Sequence, residues 1–364
     1  MAFIIIGGGV VGLSVAYGLL KNGQDVVVLD GADDDFRASR GNFGLVWVQG
    51  KGADCVGYSQ WTRRSAALWA DFAQEIEDLT GLDLMLRQTG GMEYFTDEAE
   101  LEEQISKLES LRDASGGDYP FDILDQKELR ERVPEIGPKV IGATFCPEDG
   151  HVNPLFLLKA LSSAVRQKGG TIRTGVKVVD VSGQEGEFKV VLEDGNHLNG
   201  ENVVLSAGLG AMELGPKLGF STPIRPQQGQ ILVTEKLPVF LHYPSGTLRQ
   251  VNEGGVQIGA SKAELGLDDT EDTETIAKLA RHAIDVFPHL EKVKMVRSWA
   301  ALRIMSPDGL PIYQRSPTHP GATFITCHSG ITLAAAHAQL LPDWILGKAE
   351  AQDLSTFSER RFDV

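Results

Sequence analysis

Closely spaced cysteines are missing from this sequence. The chain has 364 residues and only three cysteines, which lie far apart at Cys55, Cys146 and Cys327. Without a C-x-x-C pair, a disulfide framework, a zinc site and an iron–sulfur cluster are all disfavoured. We therefore predict no metal centre, and we expect a reducing, cytoplasmic location.

An excess of basic residues is also missing. The chain carries 34 Lys and Arg against 50 Asp and Glu, a formal net charge of −16 at pH 7. DNA, RNA and anionic membranes select for basic surfaces, so we predict no nucleic-acid partner. The substrate is not constrained in this way, because a local basic pocket can lie inside an acidic protein.

A long uninterrupted apolar run is the third absence. Residues 3–20 come closest, but five glycines interrupt them and no basic region precedes them. They fit a buried strand, turn and helix better than a signal peptide or a membrane span. The length of the chain is enough for two domains, or for one large α/β body with an inserted module.

Glycine, by contrast, is concentrated near the start of the chain. The β-branched residues 3–6 predict a strand, and residues 13–20 predict a helix. Between them, Gly7, Gly9 and Gly12 have the G-x-G-x-x-G spacing. In such a turn the first glycine permits a sharp bend, the second lets backbone N–H groups approach a pyrophosphate, and the third allows close helix packing.

The next predicted strand supports a dinucleotide site. Residues 24–29 form an apolar strand that ends on Asp30, near the spacing of about 20 residues for a carboxylate that binds a ribose. An acid rather than an arginine argues against a 2′-phosphate. The motif alone does not separate FAD from NAD, and an ordinary glycine-rich turn with a solvated Asp30 is the alternative.

Three later segments have similar features. Residues 38–44 are small and polar, which fits either a phosphate-binding loop or a surface loop. The predicted strand 202–205 runs into a second glycine turn, 206–210. A third junction follows the predicted strand 323–326 and leads into a predicted helix over 331–345.

The remaining pattern predicts alternating helices and strands. Helices are predicted at 58–79, where we expect the tryptophans to pack in the core, and at 98–111, 127–133, 153–166 and 270–287. Strands are predicted at 91–95, 141–145, 176–181, 188–192, 230–233, 248–251, 256–258 and 296–303, with a proline-flanked crossover at 223–229.

These motifs, in this order, resemble the FAD-dependent D-amino acid oxidase superfamily, which includes glycine oxidase and sarcosine oxidase. The resemblance covers nearly the full length and rests on residues 4–12 with Asp30, 38–44, 150–154, 203–210, 223–230, 299–303 with 308–312, and 328–333. The ending Cys-His-Ser-Gly-Ile-Thr-Leu is similar to the β-type subunits of hydroxyproline and opine dehydrogenases.

The resemblance implies an α/β fold with two domains. A Rossmann-like FAD-binding domain would comprise residues 1–81, 142–222 and 301–364. An inserted, mainly antiparallel β-sheet domain for the substrate would comprise residues 82–141 and 223–300.

The resemblance also implies an FAD site built from the three glycine turns, Asp30, the segment after Ala38 and the strand at Val178. The implied cofactor-binding residues are Gly7, Gly9, Val10, Val11, Gly12, Asp30, Gly31, Ser39, Arg40, Asn42, Phe43, Gly44, Leu45, Val178, Ala207, Gly208, Gly210, Arg303, Ser329, Gly330, Ile331 and Thr332. Val178 would hold the adenine through its backbone. The third turn, as a helix N-terminus, would stabilise negative charge on the flavin.

Two residues are implied to act on the substrate. Arg303 matches the position that pairs with the substrate carboxylate, and a guanidinium suits that role through bidentate geometry. A structural salt bridge is the alternative. We also expect His328 to touch the flavin or the substrate, and we rank His151 and His242 below it. Arg249 and Gln250 are further candidates for lining the substrate pocket.

Departures from the family narrow the expected chemistry. Ile304 follows Arg303 where glycine oxidases carry proline, and residues 304–306 lack the cysteine that binds flavin covalently in sarcosine oxidases. We therefore expect non-covalent FAD and a cyclic or N-substituted amino acid as substrate.

The expected reaction is oxidation of a C–N bond, with a hydride passing to FAD and the imine hydrolysed by water. Two alternatives stay open. The chain could be an FAD-bearing β subunit that needs a partner subunit, or an NAD-dependent enzyme with a Rossmann half. A homo-oligomer is also compatible with the sequence.

Overall fold

The computed structural model describes residues 2–31, 38–184, 186–259 and 261–363. The strands in these residues are β1 (Ala2–Ile6), β2 (Asp25–Leu29), β3 (Leu45–Val46), β4 (Gly91–Phe95), β5 (Asp122–Asp125), β6 (Gly142–Cys146), β7 (Gly150–His151), β8 (Thr171–Arg173), β9 (Val178–Ser182), β10 (Phe188–Leu192), β11 (His197–Gly200), β12 (Asn202–Leu205), β13 (Arg225–Lys236), β14 (Leu248–Gln250), β15 (Gly255–Ile258), β16 (Met295–Met305), β17 (Ile312–Arg315) and β18 (Ala322–Thr326). The helices are α1 (Val10–Lys21), α2 (Val56–Thr80), α3 (Glu98–Ala114), α4 (Gln126–Arg132), α5 (Pro154–Gln167), α6 (Ala211–Leu214), α7 (Thr273–Val286), α8 (Ala334–Gln339) and α9 (Leu341–Ile345).

A six-stranded sheet carries the glycine turns. Its strand order is β17-β18-β12-β1-β2-β8, and all neighbours are parallel except the edge pair β17 and β18. The carboxyl ends of β1, β2, β12 and β18 therefore meet at one edge of the sheet. Ligands of open α/β sheets bind in the crevice outside such an edge.

The apolar run of β1 is buried on both faces of this sheet. Phe3 and Ile5 pack in a cluster with residues of α1, α2, α5 and α8. Ile4 and Ile6 pack on the other face, against the antiparallel sheet β9–β11. Burial on both faces explains why the strand reads as a continuous β-branched run rather than an alternating pattern.

The other sheets of the molecule are antiparallel. A four-stranded sheet has the order β14-β15-β13-β16, and a three-stranded sheet has the order β4-β6-β5. Both contribute to a third core cluster with α7, in which the rings of Tyr94 and Phe287 stack edge to face with centroids 5.7 Å apart. The predicted α/β class with an antiparallel sheet region is confirmed.

One predicted connection is instead part of a strand. The proline-flanked crossover at 223–229 is wrong, because β13 begins at Arg225 and pairs with β16 as far as Met305. Pro226 is tolerated there because β15 pairs with β13 only from Leu232 onward, so the start of β13 is bordered by a strand on one side. Arg303 lies on β16, opposite Gln227 of β13.

The helices of the described ranges are short or amphipathic. Among these residues, no helix is both long and apolar enough to cross a membrane. The same part of the chain contains no group of three or more His, Cys, Asp and Glu side chains placed to hold a metal ion.

Candidate active site

A cavity of about 1200 Å³ lies at the edge where the parallel strands end. This volume exceeds the range of about 300–1000 Å³ that is typical of small-ligand pockets. The first glycine turn, Asp30 and Ser39 line one wall, which we call the glycine-turn wall. Lys51, Lys262, Arg303 and His328 line another, which we call the cationic wall.

The glycine-turn wall has no room for side chains at its two outer glycines. Gly7 has a φ of +112°, and a Cβ there would lie 2.3 Å from the backbone oxygen of Ser206. A Cβ on Gly12 would lie 2.0 Å from the backbone oxygen of Gly7. The turn is therefore closed by backbone contacts that only glycine permits.

Two side chains fix the conformation of this turn. The Asp30 Oδ1 atom accepts a hydrogen bond from the Gly8 N–H at 3.0 Å. The Ser39 Oγ atom accepts one from the Val10 N–H at 3.1 Å. The acid at the end of β2 and the polar segment after Ala38 thus meet at the first turn, as the sequence predicts for a dinucleotide site.

The third glycine junction differs from its prediction. The helix predicted over 331–345 is wrong: residues 328–333 form turns, α8 begins at Ala334, and α9 begins at Leu341. Pro342, in the first turn of α9, lacks the N–H that a continuous helix would need at that position. Gly330 to Thr332 therefore line the cavity as a turn, and not as a helix N-terminus.

Contacts from α2 hold this turn in place. The backbone oxygen of Thr332 accepts hydrogen bonds from Ser65 Oγ at 2.7 Å and from Trp69 Nε1 at 3.1 Å. The Thr332 hydroxyl accepts one from the Trp47 N–H at 3.1 Å. Trp69 is fully buried, so its predicted place in the core is confirmed, and it also supports the cavity wall.

Arg303 lies flat against β13. Its Nη1 atom donates to the backbone oxygens of Gln228 at 3.3 Å and Ser261 at 2.9 Å. A Cβ on Gly229 would lie 2.4 Å from the guanidinium, so a larger residue there would displace the Arg303 side chain. Within the part of the chain that the structure describes, Arg303 forms no salt bridge with an acid, which argues against the structural salt bridge as its role.

His328 faces the cavity and is neutral at pH 7. Its side chain is accessible from the cavity, with protein on the remaining sides. This desolvation, together with the charges of Lys51, Arg303 and Lys262, lowers the pKa of the imidazole to about 3. A neutral imidazole offers one donor and one acceptor to a ligand. His328 therefore suits hydrogen bonding better than proton transfer near neutral pH.

Lys51 is bound by two hydroxyls of the third turn. Its Nζ atom donates to Ser329 Oγ and, at 3.5 Å, to Thr332 Oγ1. Tyr58 donates to the same Ser329 oxygen at 2.9 Å. Burial lowers the pKa of Lys51 to about 8, so a small part of this amine is deprotonated near neutral pH.

Glu93 brings a carboxyl group to the same cavity. Its Oε1 atom accepts a hydrogen bond from the Gly246 N–H at 3.1 Å. Burial, reinforced by the charge of Asp149, raises the pKa of Glu93 to about 8. The carboxyl group is therefore largely protonated at pH 7 and adds little negative charge to the cavity.

Comparisons with known proteins agree with this geometry. The profile of the family described as "FAD dependent oxidoreductase" matches residues 2–344. The chain belongs to this family. It is similar to one of the opine oxidase subunits of Rhizobium meliloti, with 42% identity over 99% of this chain and 97% of the relative.

Solved structures show the same fold for this FAD-dependent oxidoreductase. It is similar to glycine oxidase from Geobacillus kaustophilus, with a TM-score of 0.90, 25% identity and coverage of 98% of this chain and 97% of that one. Iminodiacetate oxidase from Chelativorans sp. BNC1 shares the fold with a TM-score of 0.86 at 20% identity, over 98% of each chain. The predicted family and cofactor are therefore confirmed.

The cavity of this FAD-dependent oxidoreductase has residues that suit FAD. The glycine-turn wall is a cradle that a Cβ at Gly7 would fill, and Asp30 stands beside it as an acid for a ribose. Arg40 lines the same cavity and offers a positive charge for phosphate. The residues present are thus those that an adenine dinucleotide needs.

Most of the predicted site residues line this one cavity. These are Gly7, Gly9, Val10, Val11, Asp30, Gly31, Ser39, Arg40, Asn42, Phe43, Leu45, Val178, Ala207, Gly208, Gly210, Arg303, His328, Ser329, Gly330, Ile331 and Thr332. Gly12 and Gly44 lie behind the lining. Gly44, with a φ of +93°, packs against the backbone oxygen of Val152 and the guanidinium of Arg249.

The weaker candidates have structural roles instead. Arg249 is buried and donates to Gln257 Oε1 at 2.8 Å, and its Nη1 atom lies 3.1 Å from His151 Nδ1. Gln250 is hydrogen-bonded to the backbone around it, including the oxygen of Gly254 at 2.9 Å. These three candidates, and His242, lie outside the cavity lining.

Sequence reasoning did not select Lys51, Glu93 or Lys262. Lys51 stands between two glycines, a weak signal that a close approach occurs there. Glu93 is a single acid in a strand, and Lys262 lies in an irregular segment. Neither pattern distinguishes a cavity residue from a surface one.

Proposed function

We propose that this FAD-dependent oxidoreductase oxidises the C–N bond of an amino acid or secondary amine whose carboxylate is held by Arg303. The observation that carries the proposal is the position of Arg303 in the FAD cavity, hydrogen-bonded to the carbonyls of Gln228 and Ser261 and, among the described residues, without an acidic partner. A half-buried guanidinium that has no acidic partner is stabilised by an anionic ligand, which supplies the missing negative charge.

When bound, FAD supplies the acceptor for the hydride that leaves the carbon beside the amine nitrogen, and water then hydrolyses the imine. The chain's own residues position the substrate. Arg303 binds the carboxylate, and the neutral His328 accepts or donates a hydrogen bond beside it. Side-chain proton transfer is not required, provided that the substrate amine reacts in its neutral form.

FAD is proposed to be bound non-covalently. Residues 304–306 contain no cysteine, and burial raises the pKa of Cys327, which lines the cavity, to about 12. A protonated thiol is a poor nucleophile. Acid precipitation of the purified protein is expected to leave the flavin in the supernatant, and yellow colour in the pellet would contradict this.

The experiment that tests the proposed function is an anaerobic titration of the flavin-loaded protein with D- and L-amino acids, hydroxyprolines and opines. Loss of the flavin absorbance bands with one compound class is expected. A protein that binds FAD but is bleached by none of these classes would contradict the proposal.

A second candidate function is an FAD-bearing subunit that turns over only with a partner chain. The 42% identity to a protein that is one subunit of an opine oxidase favours this alternative. Under it, substrate would still bleach the flavin of the isolated chain, while steady turnover with a dye acceptor would stay low until the partner is added. High dye-linked turnover by the isolated chain would contradict it.

A further inference from the structure

The segment around Lys262 is fixed to the strand that supports Arg303. Gln228 and Ala263 exchange both backbone hydrogen bonds, at 2.9 and 3.1 Å. Ser261 Oγ accepts from the Gln230 N–H at 2.8 Å. Lys262 thus lies between two residues that are anchored to β13, although the segment has no regular secondary structure.

This anchoring places the backbone next to Lys262 against the Arg303 guanidinium. Arg303 donates to the backbone oxygen of Ser261, the residue that directly precedes Lys262. The Lys262 side chain is exposed and lines the same cavity. Its charge opposes the rise in the pKa of Glu93 and adds to the fall in the pKa of His328. Across the described ranges, Lys262 has no salt bridge within 4 Å to an acid.

Positive charge therefore exceeds negative charge on the cationic wall. Lys51, Lys262 and Arg303 line this part of the cavity, and the carboxyl group of Glu93, which also lines it and on which Lys262 acts, is largely protonated at pH 7. Lys51 is already bound by two hydroxyls, whereas Lys262 and Arg303 have no anionic partner in the described part of the chain. The excess is local, since the whole chain has a net charge of −16. A cleft with such a charge attracts anionic ligands.

We propose that Lys262 forms a second carboxylate subsite beside Arg303, so that the preferred substrate is a secondary amine with one carboxylate on each side of its nitrogen. Arg303 holds the carboxylate on the carbon that is oxidised, and Lys262 holds the carboxylate of the N-substituent. The inference rests on the proposed function for its substrate, but the subsite can be tested by binding alone.

The test uses two stable probes in which sulfur replaces the amine nitrogen. Thiodiacetate has two carboxylates, and (methylthio)acetate has one. Isothermal titration calorimetry on the flavin-loaded protein is expected to give at least tenfold tighter binding of thiodiacetate. Lys262→Met is expected to remove this difference in affinity and to change the affinity for (methylthio)acetate less than twofold. Lys262→Arg is expected to retain most of the difference between the two probes.

Lys278→Met provides the matched control, because Lys278 is exposed on α7 and pairs with Glu274 at 2.7 Å. It is expected to leave both affinities unchanged. Equal wild-type affinities for the two probes, or an equal loss of both in Lys262→Met, would overturn the subsite. If the probes behave as expected but no amine bleaches the flavin, the subsite stands and the proposed oxidation fails.

Discussion

Gly12 shows at the scale of one residue why the first turn must be glycine. A Cβ there would lie 2.0 Å from the Gly7 backbone oxygen and 2.6 Å from Ser206 Oγ. Gly12→Ala is therefore expected to distort the turn and to lower the flavin content of the purified protein at least tenfold. Absorbance at the flavin bands, with circular dichroism to check folding, measures the effect.

Gly57 is the matched control for that substitution. It lies in α2, and a Cβ there would meet Thr356 Cγ2 at an ordinary 3.7 Å. Gly57→Ala is expected to keep full flavin content, because the added methyl group has room. Normal flavin content in Gly12→Ala would show that the close approach is unimportant.

A second prediction concerns Asp149 and the dependence of the free energy of unfolding on pH. This buried carboxylate accepts hydrogen bonds from the N–H groups of Val48 at 2.5 Å and Gln49 at 3.1 Å. Burial outweighs these bonds and raises the pKa of Asp149 from 3.8 to about 7. The native state therefore binds more protons than the unfolded state between these two values, and its stability falls as the pH rises through them.

Asp149→Asn removes this titrating group, because the amide does not titrate, and with it the part of the raised pKa of Glu93 that comes from the charge of Asp149. The free energy of unfolding of the wild type relative to the variant is expected to fall between pH 4 and pH 7. The slope is at most about 1.4 kcal/mol per pH unit, and the difference levels off only as the pH rises well above the folded-state pKa of about 7. Urea unfolding at five pH values measures it, and a difference independent of pH would refute the prediction.

The chemistry of single residues was predictable only where a motif surrounds them. The glycine turn and Asp30 have a required spacing, and both lie where the spacing predicts. Lys262 has no such spacing, because backbone bonds to a strand about 35 residues earlier in the chain bring it to the cavity. Glu93 likewise becomes a cavity residue only through sheet pairing.

At the scale of elements, α2 acts as the support of the third glycine turn. Ser65 Oγ donates to the Thr332 backbone oxygen and accepts from the Ala336 N–H at 3.1 Å. Ser65→Ala combined with Trp69→Phe removes both donors to Thr332 without changing the cavity lining. Flavin affinity is expected to fall at least fivefold, measured by fluorescence titration of the FAD-free protein.

Ser59→Ala is the control in the same helix. The Ser59 hydroxyl is buried and has no hydrogen-bond partner among the described residues. Its removal is expected to leave flavin affinity within twofold of the wild type. Equal effects of the control and of the double variant would mean that α2 does not position the turn.

Helices and strands could be predicted from the sequence where a single hydrophobic pattern dominates the segment. The strands at 91–95, 188–192 and 202–205 agree with their predictions to the residue, because each is a short apolar run between turns. The helix predicted over 331–345 begins three residues late and is divided into α8 and α9, because residues 331–333 still belong to the turn and Pro342 interrupts the helix. The short strands β8 and β11 were missed because part of each is exposed.

At the scale of the whole molecule, the cavity joins parts that are far apart in sequence. Its lining includes residues of the parallel sheet region, such as Asp30, and residues of the antiparallel sheet, such as Arg303. FAD bound there is expected to contact both regions and to bind only the native state, so it would stabilise that state by mass action. The division into two domains at the boundaries given above stays a proposal.

FAD is therefore expected to raise the melting temperature of the flavin-free protein. At 100 times its dissociation constant, a ligand that binds only the native state adds about 2.7 kcal/mol. Thermal unfolding at increasing FAD concentration measures the shift, with riboflavin as a control that lacks the adenine dinucleotide. A melting temperature unaffected by FAD would contradict the assignment of the cavity.

The central claim is that Arg303 holds the substrate carboxylate, and one comparison tests it most directly. The concentration of the bleaching substrate that half-reduces the flavin is measured anaerobically for the wild type, Arg303→Met and Arg225→Met. Arg225 lies on β13 outside the cavity lining, paired with Glu264 at 3.2 Å, and serves as the control.

Removing a charged hydrogen-bonding partner costs about 1.5–3 kcal/mol. Arg303→Met is therefore expected to bind FAD normally and to need at least about tenfold more substrate for half-reduction, while Arg225→Met equals the wild type. An Arg303→Met protein whose flavin is reduced at the wild-type substrate concentration would contradict it.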